Sequence, residues 1–156
     1  MTGASPVLHL TVQYASQRAG PHAPQRARLR RLARATLTLA GHPEAHLLVR
    51  LVDTAEGRAL NRAWRGKDYA TNVLTFAYGT PLPDTGTHAD IILCAAVVER
   101  EARAQGKAPG DHYAHLVVHG VLHALGHEHD EPAAAQRMED LERAVLARFR
   151  IADPYA

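Results

Sequence analysis

Residues 90–94 read DIILC, a short run that is continuously apolar after its opening aspartate. Such a run fits a buried central strand, so the rest of the chain has to pack around it. Three other segments carry strand patterning. VLHLTVQY (7–14) alternates with period two, HLLVRLV (46–52) reads as a second strand, and NVLTFAY (72–78) combines β-branched with aromatic residues. Helical patterns fall between them. Leu29, Leu32, Ala33 and Leu37 trace one apolar face, with Pro24 as an early helical residue and Gly41 as the stop. Thr54 can cap a short helix running through Leu60 and Trp64 to Gly66. AAVVEREARAQ (95–105) is helical, GKAPG interrupts it, and Asp111 can cap the next helix, which ends at Gly126. Pro132 starts a last amphipathic helix with Met138, Leu141, Val145 and Phe149 on its core face and Arg148 and Arg150 near its C-terminal end. SQRAGPHAP (16–24) and GTPLPDTGTH (79–88) carry turn chemistry. The order β-α-β-α-β-β-α-α-α predicts an α+β fold in which one mixed four-stranded sheet packs with about five helices.

A length of 156 residues matches a single domain over 1–156. With 46% hydrophobic and 22% charged residues, the composition is that of a globular protein and excludes disordered or fibrous classes. The opening residues MTGASPVLHL lack a basic segment followed by an apolar run, and no window approaches the ~20 apolar residues of a membrane span. A cytoplasmic protein is expected. Cys94 is the single cysteine, which excludes an intrachain disulfide and a cysteine-based zinc site. Net charge is +2, and Lys67 and Lys107 are the only lysines, so the cations are nearly all arginine.

The chemistry concentrates in HGVLHALGHEHD, residues 119–130. If residues 112–125 are helical, His115, His119 and His123 lie along one face at i, i+4 and i+8. An i, i+4 pair can bind one tetrahedral ion. The outer pair is roughly 12 Å apart at ~1.5 Å rise per residue, too far to share one ion. Gly126 can turn the chain back, so that His119 and His123 are joined by His127 or His129. Three imidazoles leave the ion its full positive charge and an open position, as in a catalytic site. A metalloprotease of the HExxH kind needs glutamate directly after the first histidine, where this chain has Gly120. Glycine there also leaves room above a metal for a bulky substrate.

The pattern His119-Gly120-x-Leu122-His123-x-x-Gly126-x-Glu128-His129, followed by Met138 and Glu142, resembles the YbeY family of bacterial rRNA maturation factors, which are metal-dependent endoribonucleases. LNRAWRGKDYATNVLTF (60–76) and ADIILC (89–94) are similar to two further segments of that family, with matches at Arg65, Thr71, Val73, Leu74, Phe76, Asp90 and Ile91. The chain departs from the pattern at Asn72, Thr75, Ala89 and Glu128. The resemblance implies one zinc ion on His119, His123 and His129, with His127 as a neighbour. It implies single-stranded RNA as substrate, especially the 3′ end of 16S rRNA, in ribosome maturation and quality control. The ribosomal small subunit and its assembly factors are the partners it suggests by analogy.

On this reading Arg65 stabilises charge on the scissile phosphate. Its alternative role is a helix-end ion pair with Asp68. Asn72 removes a carboxylate from the expected cleft. Arg26, Arg30 and Arg34, with Arg31 beside them, form a basic stripe that either binds RNA phosphates or is simply a solvated face. Two other functions compete: a zincin-like metallohydrolase or protease, and a ribosome-associated binding module with a structural metal.

Overall fold

The computed structural model describes residues 5–15, 20–78 and 86–156. Nine elements follow one another: β1 (Val7–Tyr14), α1 (Arg26–Ala40), β2 (Glu44–Val52), α2 (Thr54–Arg65), β3 (Val73–Tyr78), β4 (Thr87–Cys94), α3 (Ala95–Gln105), α4 (Pro109–Ala124) and α5 (Pro132–Arg148). The order is the one the sequence patterns predict. The turn segments expected at 16–24 and 79–88 lie partly outside the described residues.

The sheet runs β1-β2-β4-β3. β1, β2 and β4 are parallel, and β3 joins β4 antiparallel. DIILC is therefore an interior strand, with Ile91 and Leu93 fully buried. Alternate residues of each strand divide between two cores. Leu8, Leu47, Val49, Leu51, Ile91 and Leu93 pack with Leu29, Leu37, Val117, Val121, Met138 and Val145 of α1, α4 and α5. On the other face Val52, Leu74, Ile92 and Cys94 pack with Leu60 of α2 and Val97 of α3. β3 pairs on one side only and presents a free edge.

Several boundaries differ from the sequence reading. Asp53, not Thr54, caps α2, accepting the Glu56 N–H at 2.9 Å. α4 begins at Pro109 rather than after Asp111, because proline is tolerated at the first helical position, where no intrahelical N–H bond is required. Pro24 stands before α1 instead of inside it. β2 and β4 each begin earlier than their apolar runs, at Glu44 and Thr87. Ladder pairing from Ala45↔Thr87 onward supports these polar residues as strand without help from an apolar pattern. Among the described residues no helix is long and apolar enough to cross a membrane.

Glu99 of α3 is a buried carboxylate, 6% exposed. It accepts from the Tyr113 hydroxyl at 2.8 Å and pairs with His22 Nδ1 at 3.1 Å, tying the segment before α1 to α3 and α4. Burial pushes its pKa up, but the bonds from His22 and Tyr113 outweigh burial and hold it below 4.5. A depressed carboxylate stabilises the fold above its ordinary pKa and loses that contribution as pH falls through its folded value. Glu99→Gln is expected to lower stability at pH 7 by about 1–3 kcal/mol. Urea midpoints of the two proteins should converge as pH falls below the ordinary glutamate range and through the depressed folded value.

Candidate metal centre

Three elements meet at the free edge of β3. α2 ends there, and the loop that returns from it is clamped twice. The buried Asn61 amide donates to the Tyr69 carbonyl at 2.7 Å, and Arg58 makes two bonds to Asp68 at 2.8 and 2.9 Å. Asp68 is thus the partner of Arg58, and the expected Arg65–Asp68 pair does not form. Arg65, the last residue of α2, has no carboxylate within ion-pair distance among the described residues and is exposed. Trp64 beside it is 70% exposed and packs its ring 5.4 Å from that of Phe76.

α4 supplies the histidines and ends in a turn that reverses the chain. Gly126 adopts φ 98°, a left-handed conformation that glycine enters without a Cβ clash. The N–H of Gly126 bonds to the His123 carbonyl and that of His127 to the Leu122 carbonyl, both at 3.0 Å, which together form the Schellman arrangement. The turn sends His129 back beside the helix. Its ring stacks against those of His119 and His123, with centroids 5.5 and 6.3 Å away.

A cleft of about 400 Å³ results, lined by Trp64, Arg65, Val73, Leu74, Thr75, Phe76, His119, His123 and His129. The structure brings Arg65 and the three histidines singled out from the sequence into this one space. His127 does not line it. That residue lies toward His42, whose pKa is lowered by burial and then by the nearby His127 charge. Asn72 also lies outside the lining; its amide donates to Glu101 at 3.0 Å, and its own oxygen caps Val73 N–H. A carboxylate at 72 would face Glu101 rather than the cleft.

The donor set suits a cation. Behind His119 stands Glu142 of α5, fully buried. It accepts from His119 Nδ1 at 2.6 Å and from the Tyr155 hydroxyl. Burial alone would raise its pKa, but hydrogen bonds from His115, His119 and Tyr155 overcome that and hold it at about 2. A carboxylate on Nδ1 fixes the ring and leaves Nε2 as the ligand, the usual outer partner of a metal-bound histidine. His123 keeps a buried Nδ1 without a partner among the described residues. His115 is occupied elsewhere, its Nε2 lying 3.3 Å from Tyr155 and 3.5 Å from Glu142. The sequence reading names Glu142 without giving it a role. The available signal is a charge on the apolar stripe between Met138 and Val145.

A family model described as Endoribonuclease YbeY matches residues 15–150. The chain belongs to the Endoribonuclease YbeY family. It is 52% identical over 159 residues to the Endoribonuclease YbeY of Alkalilimnicola ehrlichii, an alignment covering 97% of this chain and 93% of that one. With the Endoribonuclease YbeY of Bordetella pertussis it shares 60% identity over 116 residues, 74% of this chain and 73% of the relative. Among solved structures, a Thermotoga maritima protein characterised in solution is similar at a TM-score of 0.58 and 24% identity. That match covers 93% of this chain and 97% of the other, and it concerns the fold alone.

One expectation about this YbeY-family chain changes. Gly120 does not open space above a metal: it is buried, and a Cβ there would lie 2.9 Å from Ile91 Cγ2 and 3.4 Å from Thr75 Oγ1. Glycine lets α4 press onto β3 and β4. The arginine stripe of α1 is exposed, with Arg26 bonded to the Val12 carbonyl at 3.2 Å and stacked on Tyr14. None of these arginines lines the cleft.

Gly120→Ala is expected to lower stability by up to about 2 kcal/mol, read from the urea midpoint: overpacking costs about 1–3 kcal/mol and the better helix propensity returns about 1. Glu142→Gln should weaken metal binding about 10- to 100-fold in a chelator-competition titration, with helix content unchanged.

Proposed function

We propose that this chain is a metal-dependent endoribonuclease acting on single-stranded RNA, in rRNA processing and ribosome quality control. The observation that carries the reading is the single cleft at the β3 edge, which is shared by His119, His123, His129, Arg65 and the exposed Trp64. The name of its relatives, Endoribonuclease YbeY, supports the same reaction class.

On this reading His119, His123 and His129 hold zinc, and Arg65 is the fourth catalytic residue. The bound ion supplies Lewis-acid polarisation of a phosphodiester oxygen. Glu142 keeps the His119 proton on Nδ1, so that Nε2 stays a donor to the ion. Arg65, free of a carboxylate among the described residues, offers a planar fork of N–H donors to the phosphate oxygens, and these bonds strengthen as negative charge accumulates during cleavage. Trp64 supplies an exposed indole for stacking a base beside the scissile bond. A base can stack there only when it has left its duplex, which favours single strands. The 3′ end of 16S rRNA on the small subunit is the substrate the family resemblance suggests.

A zincin-type protease is not favoured. No carboxylate lines the cleft among the described residues, and the position that would carry the general base is Gly120, buried against Ile91.

Purified protein should cleave single-stranded RNA in a reaction stopped by a chelator and by His123→Ala. Arg65→Ala is expected to lower kcat about 100- to 1000-fold, as when a donor to transition-state charge is removed, with metal content retained. Cleavage that survives chelator and His123→Ala would remove the metal from the mechanism. A His123→Ala protein that loses fold and metal together would make the ion structural instead.

A further inference from the structure

A second group of histidines lies on the opposite face of the sheet from α4. The parallel ladders place His9 opposite His46 and His46 opposite His88, one row across β1, β2 and β4. The rings stack at 4.2 Å with interplanar angles of 7° and 6°. Glu44 stands two residues before His46 on the same face of β2. Its Oε2 is 3.1 Å from His46 Nε2 and 3.4 Å from His9 Nε2. One donor atom from each of His9, Glu44 and His46 lies within 4.8 Å of the other two.

We propose that His9, Glu44 and His46 form a second transition-metal site, separate from the cleft, that clips β1 to β2. Four ligands about 2.0–2.1 Å from zinc in a tetrahedron stand about 3.3 Å from one another, and Glu44 Oε2 lies 3.1 and 3.4 Å from the two imidazole nitrogens. Imidazole with one carboxylate is a donor set for zinc, nickel or copper rather than for magnesium or calcium. One observation argues against a cluster satisfied by hydrogen bonds alone. In the same row the His88 Nε2 is buried with no partner among the described residues. The side chains of Glu44 and His46 are each 31% exposed and that of His9 54%, so solvent reaches the donors and can supply the fourth ligand. The His9 and His46 rings are nearly parallel, so binding requires one imidazole to turn and bring both Nε2 lone pairs onto the ion, while the ladder beneath fixes the backbone from which the side chains reach.

The site is independent of the α4 histidines, and its test separates the two. Metal-free His119→Ala/His123→Ala protein is titrated with Zn²⁺ alone, following bound equivalents and Tm. One equivalent should bind, with Tm rising as zinc is added, since an ion bound only to the folded chain stabilises it. Adding His9→Ala, on an exposed position of the edge strand β1, should abolish both the binding and the Tm rise while leaving the metal-free Tm near that of its parent. Glu44→Gln tests the carboxylate without shortening the side chain and should weaken binding at least tenfold. A double α4 variant that takes up no zinc, or takes it up equally well with His9→Ala, overturns the proposal and leaves a hydrogen-bonded cluster. Wild-type protein that binds one equivalent, lost only with His9→Ala, would support this site and count against the α4 site instead.

Discussion

The geometry at the cleft depends on how closely α4 can approach the sheet. Gly120 allows a contact at which even a methyl group would meet Ile91 at 2.9 Å. On either side of that contact, Tyr113, Val117, Val121 and Leu122 are fully buried, so the helix cannot roll or lift without opening the main core. With the axis held this near β3, His119 and His123 line one cleft with residues 73–76 of that strand. The histidine face and the end of α2 can then bound a single space.

The second constraint is electrostatic. Glu142 is a charged group with no solvent exposure, a position that is costly unless its oxygens are bonded. Its partners come from two other parts of the chain: His115 and His119 from α4, and Tyr155 from the C-terminal segment. Arg143 extends the network, bonding Asp153 at 2.9 Å and lying over the Tyr155 ring. The residues after α5 therefore help to set the orientation of His119. The sheet contributes in a different way, since leaving β3 unpaired on one side gives the cleft a rigid wall.

Much of the architecture was legible from pattern. Apolar periodicity, one continuous apolar run, β-branched composition and cap or stop residues together mark all nine elements in their observed order. Histidine spacing along a helix, followed by a glycine turn, points to His119, His123 and one of His127 and His129, and the family resemblance points to His129 and Arg65; His119, His123, His129 and Arg65 all line the cleft. Pattern reading failed where a residue's role comes from a partner far along the chain. Glu44 and His88 were left outside their strands because they extend ladders whose polar face needs no apolar alternation. Nearness in sequence suggests Arg65 as the partner of Asp68, whereas Arg58, two turns earlier on α2, holds it. Asn72 and Gly120 were placed toward the cleft, and both turn toward other neighbours.

The sequence by itself determined the elements, their order, the face of α4 that carries histidine and the turn at Gly126, because each follows from local backbone preference and side-chain periodicity. Only the tertiary structure decided that Glu142 stands behind His119, that Gly120 is a packing contact, and that His9, His46 and His88 form one row. Those relations join segments up to 79 residues apart, between His9 and His88. They depend on strand register and helix approach, which are set by the packing of the whole core and leave no short-range signature.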